Sequence, residues 1–150
     1  MAKVTADIVI LKWQGPILSI LLIERLHPPF AGAHALPGGH RNSGESPPEA
    51  AKREALEETG LVLTDLEIVG AYGEEGRDPR GDYVSICYRS VVAGDAEATA
   101  GDDAKTAIWF PVLSASRSIP VPDLPPLAFD HASMIKDALQ GYSDWPTFEA

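Results

Sequence analysis

Apolar and polar positions change period several times along the chain, and each change marks an element. Thr5 to Trp13 and Ile17 to Arg25 are β-branched and apolar, with Gln14-Gly15-Pro16 between them. This pattern predicts two strands joined as a hairpin. Leu26 to Gly44 is punctuated by prolines, glycines and histidines and reads mostly as loop. Ser46-Pro47-Pro48-Glu49 has the form of a capping box, with proline at the first helical position, where its missing N–H costs nothing. A helix over 47–59 follows, and Gly60 is a natural C-terminal stop. Leu66 to Tyr72 reads as a strand and Glu74 to Gly81 as a polar loop. Asp82 to Val92 reads as a longer strand with Val84, Ile86, Tyr88 and Val92 on one face. Ala93 to Lys105 is acidic and rich in small residues, a loop. Thr106 to Val112 is a short strand, and the proline-rich Ser114 to Pro126 is expected to be an ordered surface segment. Asp130 to Gln140 has helical periodicity, with Asp130 as N-cap and Met134, Ile135, Ala138 and Leu139 toward the core. The tail from Gly141 has no pattern.

Strands first, a helix among them and a helix near the end predict an α+β fold, a sandwich of helices about a sheet. At 150 residues the chain is expected to form a single domain, 1–150, with a core large enough to need no disulfide or structural metal. The single cysteine, Cys87, lies mid-strand and is expected to be a buried small residue, not a nucleophile. His27, His34, His40 and His131 lack metal-ligand spacing, so none is assigned to zinc.

Charge narrows the function classes. Twelve Lys and Arg against 22 Asp and Glu give a net charge of −10. Such a chain has no broad basic footprint for a nucleic-acid backbone and is disfavoured on anionic membranes. The apolar runs at Ile8 to Leu11 and Ile17 to Ile23 are too short to span a bilayer and lack signal-peptide flanks. A cytoplasmic protein is expected, with a small molecule as partner and neither nucleic acid nor membrane. An acidic protein can hold a phosphorylated ligand where metal cations stand between the two.

The chemistry is concentrated in the predicted helix 47–59. Glu54, Glu57 and Glu58 are related by i, i+3 and i+4 and share one face. Each like-charge pair costs roughly 0.2–0.5 kcal/mol in an isolated helix. Their place near the helix C-terminus adds a dipole penalty of similar size, about 0.3–1 kcal/mol. Arg53 can offset part of this through Glu49 and Glu57. A divalent cation would reverse the sign; magnesium takes carboxylate oxygens, keeps several waters and bridges to phosphate. Taken alone, three glutamates more often form a solvated face. The preceding Leu36-Pro37-Gly38-Gly39 changes the weighing, because paired glycines permit positive φ and let backbone approach a ligand or ion.

Gly39, Glu45, Arg53, Glu54, Ala55, Glu57, Glu58, Gly60 and Leu61 together resemble the Nudix hydrolase signature, Gly-x5-Glu-x7-Arg-Glu-U-x-Glu-Glu-x-Gly-U with U apolar. Every fixed position matches, and Ala55 is smaller than the usual aliphatic. The resemblance implies a Nudix-type α/β/α sandwich with a mixed sheet, and hydrolysis of a nucleoside diphosphate linked to another group. It implies that Glu54, Glu57 and Glu58 hold Mg²⁺, for which Mn²⁺ can substitute, with Gly38 as a further metal ligand through its carbonyl. Glu45 and Arg53 would form an ion pair fixing the loop on the helix. Metal ions would neutralise phosphate oxygens and acidify a bound water. Glu58 or Glu54 could serve as base, or a group on a separate loop, where Asp102 and Asp103 are candidates, Asp103 also as a metal ligand.

Gly76-Arg77-Asp78-Pro79-Arg80-Gly81 and Leu127-Ala128-Phe129-Asp130-His131 resemble features of the ADP-ribose pyrophosphatase group. This implies Arg77 and Arg80 on phosphate or ribose oxygens and Phe129, Trp109 or Tyr72 on adenine, although each aromatic alone is better explained as core. The leading expectation is Mg²⁺-dependent cleavage of ADP-ribose to AMP and ribose 5-phosphate. A triphosphate-sanitising enzyme and a non-catalytic ADP-ribose sensor are the alternatives. The sensor is disfavoured because all signature carboxylates are present and the chain leaves no room for a DNA-binding domain. Similar enzymes are often homodimers, which the apolar hairpin around Trp13 could serve.

Overall fold

The computed structural model describes residues 1–101, 104–114 and 124–142. In chain order the elements are β1 (Lys3–Gln14), β2 (Ile17–Arg25), β3 (His34–Ala35), β4 (Gly38–His40), α1 (Pro47–Thr59), β5 (Glu67–Tyr72), β6 (Tyr83–Val92), β7 (Ala104–Ser114) and α2 (His131–Gln140). The seven strands form one mixed sheet. β3-β2-β1-β6-β5 run in that order, β4 pairs with β1 and β7 with β2. β1 and β6 are parallel from Lys3–Tyr83 to Lys12–Val92, and the other pairings are antiparallel.

β1 explains the layering. Its even positions Ala6, Ile8 and Ile10 pack under α1 with Ala50, Ala51, Ala55 and Tyr88. Its odd positions Val9 and Leu11 pack under α2 with Cys87, Met134, Ile135 and Ala138. A strand covered on both faces must be apolar throughout, which is why alternation is absent from its sequence. The expected α/β/α sandwich is therefore present, and Ile86, Tyr88 and Val92 face α1 together. Ala55, fully buried, joins Ala50 and Ala51 in a small-residue helix face lying on the sheet. Cys87 is buried as expected.

Some boundaries differ from the expectation. The segment read as loop contains β3 and β4, two and three residues long, which take their structure from pairing with β2 and β1 and carry no period of their own. β7 extends two residues further at each end than Thr106 to Val112 because it pairs along the whole of β2, from Ile17–Ser114 to Arg25–Ala104. The Ser114–Pro126 segment and the tail lie largely outside the described residues. Among the described residues no helix is long and apolar enough to cross a membrane.

The two helix starts differ. Ser46 accepts the Glu49 N–H at 3.3 Å, and Gly60 closes α1 at φ 75° with its N–H on the Leu56 carbonyl. Asp130 does not cap α2 with its side chain, contrary to expectation. Both its oxygens are taken by Arg77, at 2.6 and 2.9 Å. A bidentate charged pair outcompetes a single backbone N–H.

Candidate active site

A cleft of about 340 Å³ opens between the C-terminal half of α1 and the segment leading into α2. Glu54 and Glu58 line one side, Arg25, Arg80 and Phe129 another, and Asp7 and His131 are also among its lining.

The α1 wall follows from helix geometry and the turn before it. The Gly38 N–H donates to Glu58 Oε1 at 2.9 Å. A Cβ on Gly38 would collide with the Ala6 carbonyl and the Asp7 carboxylate, and one on Gly39 would lie 2.7 Å from the Glu54 carboxyl carbon. Neither glycine adopts positive φ. The pair is needed for close approach to β1 and Glu54, so of the two reasons expected for glycine here, positive φ is not used and close approach is.

Arg53 organises the acids. It donates to both oxygens of Glu45 (2.8 and 3.1 Å), to Glu54 (2.8 Å), to Glu57 (3.1 Å) and to the His40 carbonyl (2.8 Å). The expected Glu45–Arg53 clamp is thus formed, and Glu57 is an Arg53 partner as expected, whereas Glu49 is absent from this set. Hydrogen bonding to Arg53 holds the Glu45 carboxyl below its usual range. Glu58 behaves oppositely. Burial first, then the neighbouring Glu54 and Asp7, push it up to about 9 against the pull of the Gly38 N–H. Burial also raises Glu54, with Glu57 adding to it against Arg53.

These donors suit a hard cation. Glu54 and Glu58 are two carboxyls that burial makes costly to ionise, with Glu57 adding to the cost for Glu54 and Glu54 for Glu58, which a divalent ion would relieve. Among the described residues no group of three or more His, Cys, Asp or Glu stands ready around one point. Glu57 turns to Arg53 and is 43% exposed. A magnesium ion that keeps most of its waters needs only one or two carboxylates, so the pair suffices. Asp102 and Asp103 lie outside the described residues.

The opposite wall is cationic and aromatic. Arg80 is paired with Asp78 at 2.7 Å and lies over the rings of Tyr83 (4.8 Å) and Phe129 (5.5 Å). Arg77 lines the cleft, but its side chain is 5% exposed and committed to Asp130. Phe129 sits at φ 51°, a costly conformation for a bulky residue, and meets Phe30 edge-on at 4.8 Å. Trp109 and Tyr72 do not line the cleft; Trp109 lies beneath Lys12, and Tyr72 donates to Asp137 at 2.6 Å.

Residue-by-residue reading missed three groups. Arg25 donates to the carbonyls of Pro29 (2.7 Å) and His27 (3.4 Å) and lies 5.1 Å from the Phe129 ring. Burial, then the nearby Arg80, lowers its pKa. Among the described residues no carboxylate bonds it directly, and Glu58, Asp7 and Asp78 act on it only at longer range. Asp7 and His131 are buried below the cleft. Burial pushes the Asp7 carboxyl up, but His131, Ser85 and Arg77 outweigh it and hold it below its usual value. One signal was available: a lone acid inside an otherwise apolar strand must have a partner.

Known proteins are similar to this chain in sequence and fold. A family model for the NUDIX domain matches residues 1–138. An ADP-ribose pyrophosphatase of Methanocaldococcus jannaschii is 45% identical over 121 residues, 81% of this chain and 66% of that protein. The ADPR responsive transcriptional repressor NtrR of Acinetobacter baylyi is 30% identical over 136 residues, 89% of this chain and 52% of the repressor. The NUDIX domain of Shewanella oneidensis NrtR, solved as a cocrystal with ADP ribose, is 27% identical with a TM-score of 0.80, covering 93% of this chain and 88% of that one. The chain thus spans about two thirds of the first relative and half of the second.

Proposed function

The chain belongs to the Nudix family, and on that premise we propose that it is a Mg²⁺-dependent hydrolase of nucleoside diphosphate derivatives, with ADP-ribose, cleaved to AMP and ribose 5-phosphate, as its substrate. The observation that carries this reading is the cleft's division of labour. The Glu54 and Glu58 carboxyls of α1 line it together with a separate cluster in which Arg25 and Arg80 lie 5.1 and 5.5 Å from the Phe129 ring. A ligand with a central pyrophosphate and an aromatic base matches that division. Similarity to the archaeal ADP-ribose pyrophosphatase supports the choice of ADP-ribose among such ligands.

Glu54 and Glu58 would hold the metal, with Glu57 released from Arg53 as the further acid. Bound there, magnesium supplies charge neutralisation at the phosphates and a water of lowered pKa. Arg25 and Arg80 bind phosphate or ribose oxygens, and Phe129 offers a face to the base. Arg77 acts through Asp130, fixing the segment that carries Phe129. Glu58 or Glu54, ionised against the bound cation, would be the carboxylate to accept the water proton.

A second reading is an ADP-ribose sensor that binds without hydrolysis. It is supported by the repressor's similarity and by the Arg53-bound position of Glu57. One assay separates the two. Purified protein is offered ADP-ribose, NADH, diadenosine polyphosphates and nucleoside triphosphates with Mg²⁺ or EDTA, and products are resolved by chromatography. AMP from ADP-ribose only with Mg²⁺ is expected. Preference for a triphosphate would reject the substrate, and tight ADP-ribose binding without products would favour the sensor.

A further inference from the structure

Beneath the cleft lies a polar relay that the proposed chemistry does not use. His131 is 3% exposed and opens α2. The Leu36 N–H donates to its Nδ1 at 3.0 Å. A ring nitrogen that accepts carries no proton, so the proton of the neutral ring sits on Nε2. Nε2 lies 3.6 Å from Asp7 Oδ1, an electrostatic contact longer than a full hydrogen bond. The Ser85 hydroxyl donates to the other Asp7 oxygen. Residues of β1, β6, α2 and the turn before β4 therefore form one ordered chain. Leu36 gives to His131, His131 faces Asp7, and Ser85 secures Asp7.

The relay ends on the turn that meets Glu58. Three successive residues of that turn are held by backbone atoms. Leu36 N–H is on His131, the Pro37 carbonyl accepts the Ile8 N–H at 2.9 Å, and Gly38 N–H is on Glu58 at 2.9 Å. Leu36 is buried, so loss of the acceptor would leave an unpaired donor in the interior. Docking of α2 does not itself require His131. The helix is also tied by Asp130 to Arg77, by Asp137 to Tyr72, and by the Ala138 carbonyl to Arg89, and it buries Met134 and Ile135.

We propose that His131, oriented by Asp7, is a positioning residue that holds the Leu36–Gly38 turn in the register keeping the Gly38 amide on Glu58, and so aims the Glu58 carboxyl into the cleft. Its catalytic consequence rests on the proposed hydrolysis; its structural consequence does not.

The two ring nitrogens can be tested separately. Asparagine places an acceptor near the position of Nδ1 and lacks the reach to Asp7. Glutamine places its amide near Nε2 and leaves Leu36 without an acceptor. His131→Asn, His131→Gln and His131→Leu are compared with the unaltered protein in three ways: amide exchange at Leu36 and Gly38 by NMR, Mn²⁺ affinity by calorimetry, and kcat and KM for AMP release. Thermal midpoints are recorded alongside. The glutamine and leucine variants should exchange both amides faster. They should also lose about 10–100-fold in Mn²⁺ affinity and in kcat, the usual cost of removing a group that orients a ligand, with KM little changed. The asparagine variant, which keeps the acceptor for Leu36 but not the contact with Asp7, should lose clearly less than the other two in all three. Equal losses in all variants, tracking only the thermal midpoint, would overturn the proposal, as would unchanged Gly38 exchange in the glutamine variant. If the leucine variant does not fold, the asparagine–glutamine contrast decides. If the unaltered protein releases no product, the proposed hydrolysis fails, while amide exchange still decides the role of His131.

Discussion

On the α1 side of the cleft Glu54 and Glu58 bring like charges together, and burial drives both carboxyls up. On the α2 side Asp7 is buried as well, yet His131, Ser85 and Arg77 hold its carboxyl down. Burial is common to both, so neighbours decide the sign. Arg53 bonds Glu54 without offsetting its burial, and Glu58 meets the Gly38 N–H and other carboxyls, so this wall suits the cation proposed for it. The acid behind α2 has its partners already and serves to hold the scaffold still. A catalytic wall and a supporting wall can therefore be told apart by whether their ionised forms are satisfied.

The largest expected effect separates two adjacent glutamates. Glu58→Gln should lower turnover on the order of 10²-fold or more, measured as AMP release at saturating ADP-ribose. The fold, checked by circular dichroism, should persist. Glu57→Gln should lower it less, because Glu57 is exposed and bound to Arg53. Equal turnover in both variants and the unaltered protein would end the assignment of a metal wall to α1.

Arg80→Ala tests the cationic wall. Loss of one charged hydrogen bond of roughly 1.5–3 kcal/mol should raise KM about tenfold or more. kcat should stay near its original value if Arg80 binds ground and transition states alike. A fall in kcat at constant KM would instead move Arg80 to stabilising transition-state charge.

pH should pull on the two walls in opposite directions. Glu58 has a folded-state pKa raised from 4.5 to about 9, so the folded state binds more protons than the unfolded state between those values. Its contribution to stability is present below 4.5 and is lost as pH rises toward about 9. Asp7 has a lowered pKa, so its contribution is present above 3.8 and is lost as pH falls through the lower folded value. Thermal midpoints in EDTA should therefore fall from mildly acid to alkaline pH, and Mg²⁺ should flatten that fall. A midpoint rising with pH in EDTA would contradict the account of Glu58.

The smallest expected effect is a control on purely local structure. Ser46→Ala removes the cap of α1 and should cost about 1 kcal/mol in urea unfolding, with Mg²⁺-dependent turnover retained. A large loss of turnover would mean that the start of α1 is coupled to its catalytic end.

The same contrast explains what could be read from the sequence. The α1 wall was legible because a helix converts spacing into position: residues 54, 57 and 58 share a face, and Ser46 and Gly60 mark the ends. The core face of α2 followed from the same period through Met134, Ile135 and Ala138. On the α2 side Arg77, Arg80 and Phe129 were named through the resemblance, but the pairings behind them were not legible, since they form only through tertiary structure. His131 meets Leu36 across 95 positions, Ser85 meets Asp7 across 78, and Arg77 meets Asp130 across 53. Asp130 looked like a cap because capping is a local rule, and a distant arginine overrode it. β3 and β4 left no period to detect. Arg25 looked like the polar end of a strand until the fold set it beside Phe129.

The most direct test is calorimetric titration of Mg²⁺ or Mn²⁺ into metal-free protein with a nonhydrolysable ADP-ribose analogue present, in the unaltered chain and in Glu58→Gln. The account predicts divalent-ion uptake by the unaltered protein and its loss in the variant. No uptake by either, or equal uptake by both, would contradict it.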